Sequence, residues 1–419
     1  MPRKMEPAAL FGTGPHSVAI GDIAAPEMFE AVSPAWNALV SSDPNAHLFQ
    51  TYTWLSTWVR HHPGARIRVL FARRGARLTA GLGLQLHETG VWPLRTRALR
   101  FLADDASDYC DGLSDPEYPH DLGAVWSYLL AQRTWEILDL RYVPESARVA
   151  HLAAETAVRA RADVRKQDEA PYLEITGDWR GRVSKNLRDN IQRRRRRLHE
   201  RGRVTFEVAD SEAAVNSMLS QLAPMHIARW RAMGQTSLFC LPGHRAWLSD
   251  ACRRLLQARQ LYLCRLALDG DPVSIGLYFL YGRRILGYTA AFSEAYANLG
   301  PTHLLEAAML EDVQTRGLAD VDDMGRGAEP YKRHWARQAQ TLNRYVIASQ
   351  SPLALPAFWW SSRAKPWLWQ RHQIGTLARE CRRRLALSRG RTWPPCPGVS
   401  ETGGEDAAAG ECGHPGAQR

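Results

Sequence analysis

Between Asp322 and Lys332 the sequence reads DDMGRGAEPYK, which sets two adjacent carboxylates, two glycines, an arginine, a tyrosine and a lysine in one short stretch. Such groups can hold an anion, position a carbonyl or pass a proton, and a short strand centred on Val321 would deliver them just beyond its end, where open α/β sheets place ligands. Asp323 also suits a plainer role, tying down the backbone around Gly325 and Gly327. A second candidate is the loop Ser293 to Thr302, with Tyr296 and Gly300 inside it. After Thr302, the residues Leu304, Leu305, Ala308, Met309 and Val313 recur at helical spacing, so the loop sits at a helix N-terminus, where free N–H groups favour phosphate or carboxylate. Gly317 closes that helix.

Two further groups carry charge or a proton. His226, Arg229 and Trp230 share one helix, with His226 and Trp230 four apart and on the same face. His226 suits a general base for an attacking amine or hydroxyl, or a packed core histidine; Arg229 and Trp230 are candidate substrate contacts. The run Arg193–Arg197 lies on a helix whose apolar stripe is Leu187, Ile191 and Leu198. It reads either as a solvated face or as a holder of phosphates, an anionic glycan or a membrane surface.

The elements that must position these groups follow from periodicity. Helices are expected from Met28 to Asp43 and Thr53 to Val59, then a hairpin of Ile67–Ala72 and Leu78–Leu86, an acidic loop Arg100–Asp111, a helix Leu122–Leu130, a strand Trp135–Leu140 and a helix near 146–160. The second half reads as the arginine helix, a strand Val204–Val208, a helix Glu212–Met233 bent or broken at Pro224, and a helix Ala246–Ala258. Strands Leu261–Leu268 and Val273–Leu280 follow around an Asp-Gly turn, then Ile285–Ala291, the helix after Thr302 and a last strand Gln340–Ile347. Both halves thus place helices before an antiparallel meander and end on a helix–strand unit. The pattern predicts a duplicated α/β mixed-sheet unit, divided as a flexible leader 1–20, an N-terminal unit 21–165, a C-terminal unit 166–350, and a basic Trp/Arg-rich tail 351–419 with a disordered end.

Composition bounds the class. The chain has 419 residues, 45% hydrophobic, with 15 Trp and a net charge of +11, so it is globular and its field favours anionic partners. Seven cysteines show no CxxC pair and no zinc spacing. No metal is expected, and no run of apolar residues is long enough to span a bilayer. These features suit a cytoplasmic protein, with the basic tail as a means of peripheral contact with the inner membrane or a polysaccharide synthase.

The NLRDNIQRRRRRLHERG tract (186–202), the segment His226 to Trp230 with Gly234 behind it, the DGDPVSIGLYF hairpin, Tyr296 through Gly300 and, above all, Asp323 to Lys332 carry a family likeness. The last is similar to a DxGxGxxxYK signature. In these residues the chain resembles the GNAT-like acyltransferases associated with bacterial cellulose and exopolysaccharide biosynthesis, a branch similar to the Fem-type aminoacyltransferases with two GNAT-like units in tandem. The likeness covers about 180–345, is weaker over 30–150 and is absent in the tail. It implies a mostly antiparallel sheet flanked by helices in each half, with the first half degenerate, and acyl transfer from acyl-CoA, acetyl-CoA most simply, to an amine or hydroxyl of a small molecule, glycan or peptide.

On that likeness His226, Asp323 and Tyr331 are the catalytic candidates, Tyr331 donating a proton to a leaving thiolate. Ser293, Tyr296, Gly300, Thr302 and Lys332 would bind the donor, and Arg229, Trp230, Arg326 and Glu329 the acceptor. The loop departs from the family's R/QxxGxG/A form and keeps only Gly300 before Pro301, which leaves aminoacyl-tRNA open as the donor. A non-enzymatic protein that binds a polyanion or membrane through the arginine tract and tail is the alternative from another class.

Overall fold

The computed structural model describes residues 17–89, 96–327 and 329–364. The described residues through Arg363 form one compact unit. The expected leader falls mostly, and the basic tail beyond residue 364 wholly, outside the described residues; the leader's last positions already belong to a strand that begins at Ala19.

The first half runs β1 (Ala19–Ile23), α1 (Pro26–Ala31), α2 (Ser33–Ser42), α3 (Tyr52–His61), β2 (Arg66–Arg74), β3 (Arg77–Thr89), β4 (Thr96–Phe101), β5 (Leu113–Ser114), α4 (Asp121–Ala131), β6 (Ile137–Pro144), α5 (Arg148–Arg159) and β7 (Ala162–Glu174). The second runs α6 (Lys185–His199), β8 (Val204–Val208), α7 (Glu212–Ala232), α8 (His244–Gln257), β9 (Leu261–Leu268), β10 (Asp271–Tyr281), β11 (Arg284–Phe292), α9 (Pro301–Thr315), β12 (Val321–Asp323), α10 (Lys332–Trp335), β13 (Gln338–Ala348) and α11 (Ala354–Trp359).

The strands form a single mixed sheet in the order β1-β2-β3-β4-β6-β13-β7-β12-β11-β10-β9-β8, with β5 added to β3. Each half builds an antiparallel meander of four strands and then one parallel neighbour: β4 with β6 over Ala98↔Ile137 and Leu99↔Leu138, and β11 with β12 over Arg284↔Val321 to Leu286↔Asp323. The next strand of each half crosses over. β7 pairs with β12 of the second half, and β13 pairs with β6 of the first, while β7 and β13 pair with one another. The duplication expected from sequence is thus a mixed α/β fold with exchanged strands, and the expected division after residue 165 falls inside β7.

Local chemistry explains the main elements. Asp269 and Gly270 both have positive φ, 52° and 91°, as the two-residue hairpin between β9 and β10 requires. Ser184 caps α6, its hydroxyl accepting from the Leu187 amide at 3.2 Å. Leu187, Ile191 and Leu198 of α6 then bury against α9 residues such as Leu304, Leu305 and Met309 on one face of the sheet. α3, α7 and α8 cover a different core, centred on Trp54, Trp247 and Phe279. The break expected at Pro224 does not occur: α7 runs through it, with the proline on the helix's exposed side.

Candidate functional site

β12 pairs along its whole short length, Val321 to Asp323, with only the first three residues of β11, Arg284 to Leu286, and past those residues the pairing ends. A bulge sets Tyr288 between the pairs Leu277↔Thr289 and Tyr278↔Gly287, which turns β11 at the point of parting. A glycine allows the close approach there. A Cβ on Gly325, whose φ is +69°, would stand 2.2 Å from the carbonyl oxygen of Gly287. A Cβ on Gly287 would meet the Met324 backbone at 3.4 Å, an ordinary contact.

β11 leads through Phe292 and Ser293 into a short 3-10 turn, Glu294–Leu299, and then to Gly300, which takes the left-handed conformation (φ +58°) and starts α9 with Pro301 as its first residue. The arginine tract reaches this point. A Cβ on Gly300 would lie 2.1 Å from Nη1 of Arg194, so the guanidinium rests directly on the glycine at the positive end of α9. Two neighbours in the tract point elsewhere: Arg195 pairs with Glu311 at 2.9 Å and Arg193 donates to Asn190 at 2.6 Å. Thr302 and Ser293 are half-buried beside Gly300, whereas Tyr296 packs onto the core under α6 and α9.

His303, in the first turn of α9, was not singled out from sequence. Its Nδ1 accepts from Trp335 Nε1 at 2.9 Å, and its ring lies 6.4 Å from the rings of both Tyr331 and His334. Burial, then Arg194 and His334, lower its pKa to about 4, so at neutral pH it is uncharged and carries its proton on Nε2. Tyr331 is 38% exposed beside it. Burial and the carboxylates of Glu306, Glu329 and Asp322 raise the Tyr331 phenol, opposed by Arg229, so it stays a proton donor. Arg229 stacks on Phe292, 4.4 Å from the ring centroid, at the end of β11. Ser293, Gly300, Thr302, Tyr331 and Arg229 therefore converge at one end of β11, joined by Arg194 and His303.

Other expected site residues are placed differently. His226 is buried; its Nδ1 lies 2.8 Å from Ser237 Oγ, its ring stacks on Trp230 and meets Phe239 edge-on, and burial with Arg229 and His244 lowers its pKa to about 4. Asp323 and Arg326 bind the acidic loop of the first half. Asp323 accepts from the Tyr109 hydroxyl, from Arg284 at 2.9 Å and from the Gly325 amide at 3.2 Å. Arg326 pairs with Asp108 at 3.4 Å and lies 4.0 Å above the Tyr142 ring. Burial, partly offset by Arg326 and Lys332, raises Asp108 to about 6.

Lys332 is buried, and its ammonium donates to the carbonyls of Gly325 at 3.2 Å and Arg326 at 2.8 Å and pairs with Glu329 at 3.0 Å. The expectation that it meets donor phosphate gives way to a geometric fact: the lysine and Glu329 hold the glycine turn closed. Beneath it, Glu306 of α9 accepts from the Tyr278 hydroxyl at 2.9 Å and is hydrogen-bonded to the buried carboxyl of Asp322. Burial raises both acids; Glu306 raises Asp322 further, while the hydrogen bond from Asp322 and that from Tyr278 lower Glu306, so Asp322 holds the proton between them. Sequence singled out neither Glu306 nor this use of Asp322; a glutamate inside an otherwise apolar helical stripe was the available signal.

Among the described residues no cluster of histidine, cysteine and carboxylate could hold a metal, the four described cysteines are unpaired, and no helix is long and apolar enough to cross a membrane. Residues 185–333 match the model of the acetyltransferase (GNAT) domain. No curated protein sequence matches the chain. Among solved structures, FemX is similar with TM-score 0.54 and 11% identity, covering 79% of this chain and 98% of that one. A conserved protein of unknown function from Bacteroides thetaiotaomicron follows with TM-score 0.50 and 10% identity over 76% and 97%. L-PGS from Bacillus licheniformis gives TM-score 0.49 and 14% identity over 81% and 96%. The domain match, spanning α6 to α10, supports an acyltransferase and encloses every residue of the cluster around Gly300.

Proposed function

We propose that the second half transfers an acyl group from an acyl-CoA thioester, acetyl-CoA in the simplest case, to an amine or hydroxyl in cell-envelope or exopolysaccharide metabolism on the cytoplasmic side. The observation that carries this reading is Arg194 resting on Gly300 at the start of α9, inside the segment that matches the GNAT domain. The helix N-terminus and the guanidinium supply two independent attractions for a pyrophosphate. A donor so held would lay its thioester toward the parting of β11 and β12. The acceptor's lone pair attacks the carbonyl carbon, the C–S bond breaks, and the sulfur takes a proton, for which Tyr331 is the exposed donor at that end of β11. The acceptor's own proton goes to solvent or a nearby base. The pKa of about 4 makes His226 a weak base, and its packing between Trp230 and Phe239 suits the support of Arg229.

A second reading, aminoacyl transfer from aminoacyl-tRNA, is favoured by one feature: Arg196 and Arg197 continue the basic face of α6 in exposed positions beyond Arg194, as a longer polyanion would use. Thermal-shift measurements with acetyl-CoA, longer acyl-CoAs and charged tRNA test both. Acetyl-CoA at hundredfold saturation should raise the melting temperature by roughly 5 °C in the wild type and by much less in Arg194→Ala. A shift with charged tRNA and none with any acyl-CoA transfers the assignment to the second reading; no shift with either removes the basis of both.

A further inference from the structure

The last described segment inverts the usual surface rule. From Pro352 to Trp360 every exposed position is apolar: Pro352, Leu353, Leu355, Pro356, Trp359 and Trp360. Leu353, Leu355, Trp359 and Trp360 are 55%, 44%, 62% and 45% exposed. The cause is the packing of α11, which uses its smallest residues inward. Ala354 and Ala357 sit against Ala98, Ile137, Val346 and Ala348 on the sheet, and this turns Leu355 and Trp359 to the opposite side. The polar residues turn in: Ser362 is buried, its hydroxyl donating to the Phe358 carbonyl at 2.6 Å, and its own carbonyl accepts from Arg165 at 2.7 Å.

An outward row of leucine and paired tryptophan on a short surface helix is a costly thing to leave in water and matches the chemistry of a bilayer interface, where indole rings sit at headgroup level. The charge that follows it in sequence selects the lipid. Residues 363–391 contain Arg363, Lys365, Arg371, Arg379, Arg382, Arg383, Arg384, Arg389 and Arg391 against a single acid, Glu380, with Trp367 and Trp369 among them. A second copy of this chain would carry the same positive charge in its own sequence, whereas an anionic bilayer complements it. We infer that Leu353, Leu355, Trp359 and Trp360 form a docking surface for an anionic phospholipid bilayer, into which the two tryptophans insert at headgroup depth. This inference stands apart from the donor reading, since none of these residues lies in the Gly300 cluster.

The test is flotation of the full chain with vesicles of phosphatidylglycerol and phosphatidylcholine, and with phosphatidylcholine alone, at low and high salt. Binding is expected to the anionic vesicles, weak or absent to the neutral ones, and reduced by salt. Trp359→Ser and Trp360→Ser should each weaken it on the order of tenfold, with unchanged melting temperature because both side chains are exposed. Failure to float with anionic vesicles overturns the proposal, as does flotation that the double variant leaves unchanged. A dimer by sedimentation that the double variant dissolves, without vesicle binding, gives the surface to a second copy instead and equally overturns it.

Discussion

Two helices occupy matching places in the duplicated fold, α4 after the β-meander of the first half and α9 after that of the second, and their first turns are built in opposite ways. α4 begins with its own anion. Asp121 is buried there, accepting from Thr79 at 2.6 Å and Arg74 at 2.8 Å. Although burial pushes its carboxyl up, these hydrogen bonds win and hold it below the ordinary range. α9 has no acid in its first turn and begins with Gly300, Pro301, Thr302 and His303, under Arg194. One helix end carries a carboxylate of the chain in its first turn, and the other has none there and faces a guanidinium. Both halves keep the parallel strand pair and the crossing strand, so the same architecture carries two differently built helix starts.

The largest expected effect concerns the parting strands. Gly325→Ala puts a Cβ into the Gly287 carbonyl and demands a left-handed alanine, and should cost about 3 kcal/mol or more by chemical denaturation. Next, Tyr331→Phe should lower kcat roughly a hundredfold with little change in the donor's KM, since it removes a proton donor and not a phosphate contact. A pair of variants then separates the two helix ends. Arg194→Ala should raise the donor's KM about tenfold and leave stability intact, whereas Asp121→Asn should cost about 1–3 kcal/mol of stability and leave KM unchanged. If Asp121→Asn instead alters KM, the first half contributes to the site and the contrast between the helices is lost.

The smallest effect is a pH dependence. His226 binds its proton with a folded pKa of about 4, below its unfolded value, so acidification from neutrality toward pH 4 charges it in the unfolded chain first and lowers stability. His226→Phe should lose that component: its stability relative to wild type should improve as pH falls through 6, measured by denaturant melts across pH.

Much of this was legible in the residues, for reasons that also mark the failures. The hairpin at Asp269-Gly270, the glycine-ended helix α9 and the short strand before Gly325 each carry a strong local signal, and each forms where periodicity places it. β7 was missed. Its sequence, ADVRKQDEAPYLE, is charged and contains a proline, features that argue against a central strand. Pro171 is tolerated because its carbonyl still accepts, from the Met324 amide at 3.0 Å, and the charged stretch is only half-buried. β4 went unrecognised in the same way, its arginines at 97 and 100 being paired with Glu136 and Asp104. Within the site, the loop and Tyr331 were readable as chemistry. Lys332, Asp323 and Arg326 were not separable from them, because what distinguishes them is direction: Asp323 and Arg326 reach an acidic loop more than half the domain away in sequence, and Lys332 turns back onto the carbonyls of Gly325 and Arg326. Arg194 could be named only as part of its tract until α6 was laid on Gly300.

The crossing of β7 and β13 has a consequence during synthesis. When the first half leaves the ribosome, β6 has β4 on one side and an open edge on the other, and its proper neighbour is β13, encoded near the end of the described chain. The open edge is sticky toward other chains for most of translation. A nascent first half is therefore expected to depend on holding factors, and a gene truncated before β13 should yield insoluble protein even though every residue of the first half is present.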